Sequence, residues 1–289
     1  MRPAQISAVK SLRSRLIAGA QKAVVDGTAK LRRLCCAGTL GWLSRPVVRR
    51  AVAYDLVEGR RGTEQYRRLA ADPDFGFMCF ALAWHQRSAA QLLQDIWVLY
   101  QTDFRASGFF VDVGASDGIG WSNTLLLERA FAWRGILIEP NPIHRETLPR
   151  NRRSQVHFGC IGPRTGDVVD FWSAAEPELS AIATYAEGDD HAGARQAHVS
   201  HAMTTISLND ALKQCDAPRE IDYISLDTEG SELDILSTFD FAGYRVRLWT
   251  IEHNHTANEA KIDRLMAAHG YVRKCPDWSR FDAWYVRPG

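Results

Sequence analysis

The sequence predicts an α/β protein whose core is a doubly wound, mainly parallel sheet. From about residue 80 onward, short apolar runs alternate with amphipathic stretches of roughly ten residues, the pattern of strands and covering helices. The runs are almost continuously apolar, as strands are when both faces of a parallel sheet are buried. Two further short runs near the C-terminal end, separated by residues 276–280, predict a terminal antiparallel hairpin.

Five apolar runs predict the parallel strands, at residues 108–113, 135–139, 156–161, 222–227 and 246–252. Helices are predicted over residues 122–132, 230–239 and 258–269. The first helix opens with Ser-Asn-Thr, which are capping residues, and Gly270 stops the last one. The hairpin strands are predicted at residues 270–274 and 282–286.

Residues 162–208 are less regular than the rest of the predicted domain. An extra strand is predicted at residues 168–172, and residues 187–201, rich in Gly, Asp and His, are predicted to be a long loop. Long loops in compact domains usually carry function.

The charge of the chain is divided unevenly. Residues 1–68 carry 15 Lys and Arg against 4 Asp and Glu, a net charge of +11, whereas the remainder carries 20 against 30, a net charge of −10. We therefore predict a basic, mainly helical N-terminal segment over residues 1–80 and a folded domain over residues 81–289. The segment could make peripheral contact with an anionic membrane, pack on a partner, or be a solvated helix on its own domain.

Composition excludes several classes of protein. Hydrophobic residues make up 46% and charged residues 24%, which argues against a disordered chain, and six cysteines without a CxxC pair are no disulfide framework. With no signal peptide, the thiols predict a cytoplasmic setting, with association at the cytoplasmic face of a membrane left open. The acidic balance of the folded domain argues against nucleic acid as a partner.

The first predicted strand runs into a glycine-rich turn, FVDVGASDGIG at residues 110–120. Free backbone N–H groups between a strand and a helix can bind the polar part of a nucleotide-type cofactor. The spacing differs from the dinucleotide fingerprint because Ser116 stands where the second glycine is required, which weakens a nicotinamide interpretation. A tight turn without a ligand remains the alternative.

The second predicted strand ends in ILIEPNP at residues 136–142, which places Glu139 21 residues beyond Gly118. An acid in this position can bind both hydroxyls of a ribose. The alternative is a surface acid at a strand end.

Four stretches together resemble the FkbM family of S-adenosylmethionine-dependent methyltransferases: FVDVGASDGIGWSNTLLLE, WRGILIEPNP, IDYISLDTEGSELDIL and IEHN. The resemblance covers about residues 88–286. It implies the class I methyltransferase Rossmann-like fold, S-adenosylmethionine as cofactor, and methylation of hydroxyl oxygens, often on sugars or natural products.

The resemblance also implies where the cofactor binds: the turn at residues 114–118 borders its methionine part, and Glu139 holds its ribose. The residues predicted to bind the cofactor are Asp112, Gly114, Ala115, Ser116, Asp117, Gly118, Asn123, Glu139 and Asp227. Trp121, beside the turn, could stack on the cofactor or on an acceptor sugar.

Methylation of a hydroxyl group requires a base or a metal beside the acceptor oxygen. His253 is the preferred base, because an imidazole pKa of about 6.5 suits proton abstraction near neutrality. Asp227 is predicted to orient the acceptor or the cofactor's amino group, and Glu229 to polarise His253. A histidine held by purely structural hydrogen bonds is the alternative.

Asp227, Glu229, Glu252 and His253 could also form an oxygen-rich site for Mg²⁺ or Mn²⁺, which leaves metal dependence open. The leading prediction is an O-methyltransferase acting on a saccharide, a glycosylated metabolite or a natural product, with a small-molecule or glycan acceptor. The alternatives are a nicotinamide-dependent oxidoreductase and a non-catalytic scaffold that its basic segment recruits to a membrane.

Overall fold

The computed structural model describes residues 74–188 and 190–288 of the chain. The chain divides into two units, Met1–Gln86 and Arg87–Gly289. Most of the predicted basic segment lies outside the described residues, so its helical character and its membrane contact stay predictions. In its described part, helix α1 spans Phe75–Trp84. No helix within the described ranges is long and apolar enough to cross a membrane.

The second unit alternates strands and helices along the chain. Its helices are α2 Gln94–Gln101, α3 Leu125–Phe131, α4 Thr147–Asn151, α5 Leu208–Gln214, α6 Glu232–Thr238, α7 Glu259–Ala268 and α8 Pro276–Ser279. Its strands are β1 Phe109–Val113, β2 Arg134–Ile138, β3 Gln155–His157, β4 Cys160–Gly162, β5 Val168–Ala174, β6 Ala181–Ile182, β7 His198–Ser207, β8 Glu220–Leu226, β9 Arg245–Glu252, β10 Val272–Lys274 and β11 Asp282–Val286.

The main sheet has seven strands in the order β10-β11-β9-β8-β1-β2-β3. Strands β1, β2, β3, β8 and β9 pair in parallel, whereas β11 runs antiparallel to both β9 and β10. The predicted fold class, with five parallel strands and a terminal hairpin, is therefore confirmed. Because the carboxyl ends of parallel strands lie at one edge of a sheet, the residues that follow these strands meet there.

The core lies where helices cover the central strands. Val111, Ile138, Leu226 and Trp249 are fully or almost fully buried in one apolar cluster, which explains why their runs contain so few polar residues. Each such buried side chain contributes roughly 1.5–3 kcal/mol relative to an exposed one. Ser122 caps the start of α3, as the sequence analysis predicts: its Oγ accepts a hydrogen bond from the N–H of Leu125, the first residue of α3, at 3.2 Å.

One predicted strand is wrong. Residues 156–161 form not a single strand but β3 and β4, which belong to different sheets. Strand β3 pairs with β2 at the edge of the main sheet, and the chain then turns at residues 158–159 so that β4 pairs with β7. A continuous apolar run cannot show that a chain changes sheet partners within it.

The prediction for residues 162–208 is also wrong in part. The expected strand at residues 168–172 is present as β5, but residues 162–208 hold most of a second sheet, in the order β4-β7-β5-β6, and β7 begins inside the loop expected at residues 187–201. Residues 198–200 of β7 are exposed, so this strand carries polar side chains and gives no apolar run. We call residues 159–207 the insertion. Residues 276–280, predicted as a link, are mostly helix α8.

Candidate active site

A cavity of about 560 Å³ opens at the carboxyl ends of β1, β2, β8 and β9. It lies where the strand order changes direction between β1 and β8, the position at which open α/β sheets bind ligands. Its volume falls within the range of roughly 300–1,000 Å³ typical of small-molecule sites. The insertion and the tip of the terminal hairpin complete its wall.

Two positions of the β1–α3 turn require glycine, because neighbouring atoms lie too close to leave room for a Cβ. Gly114 has φ +88°, and a Cβ there would lie 1.9 Å from the carbonyl oxygen of Asp227. Gly118 has φ +78°, and a Cβ there would lie 2.6 Å from side-chain atoms of Arg152 and Leu148. The turn therefore fits tightly against the end of β8 on one side and α4 on the other.

Arg152, which the sequence analysis did not single out, supports the turn from behind. Its fully buried guanidinium donates to the Gly118 carbonyl at 3.2 Å, to Ser122 Oγ at 3.1 Å and to Thr124 Oγ1 at 2.9 Å. It also forms a buried ion pair with Glu128 at 3.1 Å. Thr124 in turn donates to Asp112 at 2.6 Å. One buried cation thus orders the turn and a cavity carboxyl.

Replacing Arg152 by methionine is expected to lower the free energy of unfolding by about 3–5 kcal/mol, because Glu128 would be left buried without its counter-charge. Denaturant unfolding measures this loss. Arg150→Met is the matched control, since Arg150 pairs with Glu146 at a site where both side chains are more than three-quarters exposed, and it should cause no measurable loss. Equal stability of the two variants would contradict the assignment.

Glu139 lies at the end of β2 and lines the cavity. Its two carboxyl oxygens accept the N–H groups of Ser116 and Asn141, each at 2.7 Å. Burial raises the pKa of Glu139 to about 7, and the charges of Asp112 and Glu178 add to this, while the two N–H groups oppose it. A carboxylate accepts about four hydrogen bonds, so Glu139 can still receive two vicinal hydroxyls.

The cavity next to Glu139 has an apolar part that the sequence analysis missed. Cys160, Ile161, Phe171 and Ile182 line it. Burial, together with the nearby Glu139 charge, raises the pKa of the Cys160 thiol to about 12, so this side chain behaves as an apolar group. These residues give this part of the cavity an apolar wall. Three of them lie in runs that the sequence analysis predicted as strands, but the apolar pattern did not show that these runs belong to a second sheet that faces the cavity.

Most of the residues predicted to bind the cofactor lie together. Those that line the cavity are Asp112, Gly114, Ala115, Ser116, Asn123, Glu139 and Asp227. Asp117 and Gly118 are not among its lining residues: the Asp117 side chain accepts the N–H groups of Ile119 and Gly120 at 2.7 and 2.8 Å, and Gly118 contacts Arg152. Asn123 donates to Ser225 at 2.8 Å, and its buried Oδ1 has no hydrogen-bond partner.

Asp227, Glu229 and Glu252 bring carboxylate oxygens within 4.8 Å of one another in the cavity. Burial raises the pKa of Asp227 and of Glu252 well above the usual range, and the charges of the neighbouring carboxylates raise both further. Two carboxyls in this situation favour sharing one proton. The Glu252 Oε2 atom is buried and has no hydrogen-bond partner.

Glu229 does not polarise His253, so that prediction is wrong. Its Oε2 lies 2.5 Å from Nη2 of the fully buried Arg195 and accepts from Asn254 Nδ2 at 3.3 Å. No hydrogen bond or ion pair joins it to His253 in the described part of the chain. Glu229 is also in the left-handed region, at φ +59°. It therefore contributes a neutralised carboxylate to the cavity wall.

The structure does not bring His253 to the cavity. Its Nδ1 accepts the His255 N–H at 3.1 Å, and its Nε2 lies 3.7 Å from Glu259 and 3.5 Å from Arg273. Burial lowers its pKa. Side chains alternate along an extended strand, so the residue after Glu252 faces away from the cavity. Its predicted role as the base is not supported by this placement, whereas His255 does line the cavity.

The predicted metal site is divided by the structure. Asp227, Glu229 and Glu252 meet, but His253 belongs to a separate group with His255 and Glu259. A divalent cation requires ionised, available carboxylates. Here Arg195 already pairs with Glu229, which leaves Asp227 and Glu252 as the carboxyl groups that could hold a divalent cation. We derive no step through a metal.

Backbone strain concentrates at the cavity. Six residues in its wall have positive φ without being glycine: Ser116, Trp121, Glu229, Asn254, His255 and Arg280. Such residues cost of order 1–3 kcal/mol each and cluster at functional sites. The hairpin tip is anchored beside them, because the Phe281 carbonyl accepts the N–H groups of His253 and Asn254 at 2.8 and 3.1 Å.

A parallel sheet extended by an antiparallel strand, a glycine turn after β1 and an acid at the end of β2 define a class I methyltransferase with a Rossmann-like fold. The model of the FkbM methyltransferase domain matches residues 112–273. The chain belongs to the FkbM family of methyltransferases, and this membership counts against the oxidoreductase alternative.

Several solved structures are similar to this chain. A precorrin-6y C5,15-methyltransferase from Geobacter metallireducens GS-15 is 11% identical, with a TM-score of 0.36 over 62% of this chain and 71% of that one. The human methyltransferase 10 domain containing protein is 11% identical, with a TM-score of 0.37 over 68% and 80%. The METTL16 methyltransferase domain is 12% identical, with a TM-score of 0.40 over 75% and 82%. No curated protein matches the chain.

Proposed function

We propose that this protein transfers a methyl group from S-adenosylmethionine to a hydroxyl oxygen of a saccharide, a glycosylated metabolite or a natural product. The observation that carries the proposal is the Asp227–Glu252 carboxyl pair, which lies in the same cavity as the glycine turn and Glu139. A hydroxyl group is a poor nucleophile until its proton is removed, and this pair supplies a base where the cofactor would bind.

The cofactor, when bound, supplies the activated methyl group. The chain's own residues bind and orient it. Glu139 would accept the two ribose hydroxyls, and the apolar part of the cavity, including Phe171 and Ile182, would contact the base. Asn123 Oδ1, a buried acceptor without a partner, suits a donor such as the amino group of the methionine part.

Glu252 acts as the general base. The acceptor hydroxyl would donate a hydrogen bond to Glu252 Oε2, and Glu252 would take its proton as the hydroxyl oxygen receives the methyl group. The proton stays on Glu252, and the products are a methyl ether and S-adenosylhomocysteine. Asp227, sharing a proton with Glu252, keeps the pair from carrying two charges. Alignment of the reacting groups alone can contribute ~7–11 kcal/mol.

The cavity wall supports an uncharged, hydroxyl-rich acceptor. Its carboxyl groups belong to Asp112, Glu139, Glu176, Glu178, Asp190, Asp227, Glu229, Glu252 and Asp282, whereas Arg280 is the one Arg or Lys among its described lining residues. Such a wall repels phosphates, which is consistent with the expectation that nucleic acid is not a partner. Trp121, 61% exposed, and Phe281 add aromatic surface on which a sugar ring can stack.

Calorimetric titration with S-adenosylhomocysteine, with NAD in parallel and with Mg²⁺ present and absent, tests the proposal. We expect binding of the homocysteine nucleoside, no binding of NAD and no effect of Mg²⁺. Transfer of a labelled methyl group to a panel of glycosides then tests the acceptor class. Absence of nucleoside binding would overturn the cofactor assignment, and binding without transfer to any glycoside would overturn the acceptor assignment alone.

The affinity for S-adenosylhomocysteine is expected to depend on pH through Glu139. Its pKa is about 7 in the free protein, and only the carboxylate accepts both ribose hydroxyls. Below that pH a proton must be expelled on binding, so affinity should fall toward tenfold per pH unit, and titrations at pH 6 and pH 8 should differ by about tenfold.

Two variants at position 139 make this prediction specific. Glu139→Ala should weaken binding by at least about tenfold at pH 8, since hydrogen bonds to a charged group are worth roughly 1.5–3 kcal/mol. Glu139→Gln should make the affinity much less sensitive to pH between 6 and 8. An unchanged pH dependence in Glu139→Gln would assign the titration to another group and remove the ribose assignment.

A further inference from the structure

The insertion forms one wall of the cofactor cavity, and beside that cavity two groups of polar contacts add to the apolar packing of Ile161 and Ile206 against the main core. At the first, beside Glu139, Asn141 donates to Ser180 Oγ at 3.0 Å and accepts from Ser173 Oγ at 2.9 Å. Asn141 also donates its backbone N–H to Glu139 at 2.7 Å. This contact fixes the insertion at the end of β2, where the ribose would lie.

The second group of contacts is at the acidic cluster, and Arg195 makes the connection. Its Nε donates to the Leu179 carbonyl at 2.6 Å and its Nη1 donates to the Ala186 carbonyl at 3.0 Å. Its Nη2 donates to Glu229 Oε2 at 2.5 Å. A single fully buried guanidinium therefore gathers two segments of the insertion and joins them to the turn after β8.

Neighbouring contacts hold the same two parts together. Gly230, at φ +118°, packs so closely under Tyr185 of the insertion that a Cβ would lie 2.9 Å from the tyrosine Cβ. The Tyr185 hydroxyl donates to Asp234 of α6 at 2.6 Å. The turn that carries Asp227 and Glu229 is thus in direct contact with the insertion along several residues.

Burying a guanidinium is costly unless its hydrogen bonds and charge are satisfied, so the place where one is buried shows which parts must stay together. Leu179, bonded to Arg195 by its backbone, is itself a lining residue of the cavity. Arg195 is not among the lining residues, so any effect it has on a ligand passes through the segments it holds.

We propose that Arg195 is a positioning residue that clamps the insertion against Glu229 and thereby sets the affinity of the cavity for the cofactor. The inference rests on the proposed cofactor and goes beyond it, because it assigns the position of the insertion at the acidic cluster, and through Leu179 the shape of the cavity wall, to the buried Arg195 guanidinium. The planar guanidinium reaches Leu179, Ala186 and Glu229 from three nitrogens in a fixed fork, whereas the three donors of an ammonium group share one nitrogen.

Arg195→Met, Arg195→Lys and the double variant Arg195→Met/Glu229→Gln test the proposal, with calorimetric titration of S-adenosylhomocysteine and thermal unfolding as readouts. Arg195→Met should bind S-adenosylhomocysteine at least tenfold more weakly and unfold at lower temperature, because the buried Glu229 carboxylate loses the positive charge of the Arg195 guanidinium. The affinity and the unfolding temperature of Arg195→Lys should lie between those of Arg195→Met and the wild type. The double variant should recover most of the unfolding temperature but none of the affinity, because the clamp is still missing.

Arg245→Met is the matched control, because Arg245 pairs with Glu220 at a surface where both side chains are 70% exposed. It should bind like the wild type. Wild-type affinity in Arg195→Met or Arg195→Lys would overturn the proposal, as would recovery of affinity together with stability in the double variant. If Arg195→Met does not fold, the other two variants decide. Failure of the wild type to bind would contradict the proposed function itself.

Discussion

Glu252→Gln is expected to lower kcat for methyl transfer by about 10²–10⁴-fold, the usual contribution of a general base, while the affinity for S-adenosylhomocysteine stays close to that of the wild type. Glutamine keeps the size and hydrogen bonding of the side chain but cannot take a proton. Rates under saturating cofactor, together with calorimetric affinities, measure the two effects separately.

The raised pKa values of Asp227 and Glu252 add a pH dependence to this result. The base must be unprotonated to act, so kcat of the wild type should fall as pH decreases through the raised pKa of the pair. Glu220→Gln is the control: Glu220 lies at the opposite end of β8 and is 70% exposed, and its variant should keep the wild-type rate and profile. A Glu252→Gln enzyme with near-normal kcat would rule out Glu252 as the base.

Gly114→Ala is the second change with a large expected effect. An alanine Cβ would lie 1.9 Å from the Asp227 carbonyl oxygen, a distance that no side chain can accommodate without movement of backbone. The left-handed φ costs about 1–2 kcal/mol, and overpacking typically adds 1–3 kcal/mol. We expect the free energy of unfolding to fall by about 3 kcal/mol and S-adenosylhomocysteine binding to be lost.

Gly166 serves as a control that separates the strain of a positive φ from the clash with Asp227. Gly166 also has a positive φ, at +98°, but a Cβ there would meet nothing within 4 Å. Gly166→Ala should therefore lose only the conformational part of the stability and retain full binding. Equal effects of the two substitutions, measured by denaturant unfolding and calorimetry, would show that contact with Asp227 is not what requires Gly114.

The main sheet could be predicted because its strands are buried on both faces and therefore have apolar runs that are easily recognised. The glycine turn and Glu139 could be predicted because they follow such strands at a characteristic spacing. The second sheet could not, since β7 has a solvated face and mixed side chains. Because the second sheet was not predicted, Phe171 and Ile182 were not assigned to the site.

The catalytic residues show a different limit. The end of β9 was recognised as part of the site. Successive side chains of a strand face opposite sides, so an error of one residue in the predicted register decides whether Glu252 or His253 faces the cavity. Arg152 and Arg195 are two of many arginines in the sequence. Only their burial, with partners 24 and 34 residues away, distinguishes them from surface residues.

Strand β11 lies inside the main sheet, between β9 and β10, although it is the last strand of the described chain. During synthesis on the ribosome, β9 therefore has no partner on this side until residues 282–286 have emerged. Until then the edge of β9 exposes unpaired N–H and C=O groups that can pair with another chain, and the core of the domain stays incomplete. We expect a chaperone to cover the exposed edge of β9 during translation until β11 has been made.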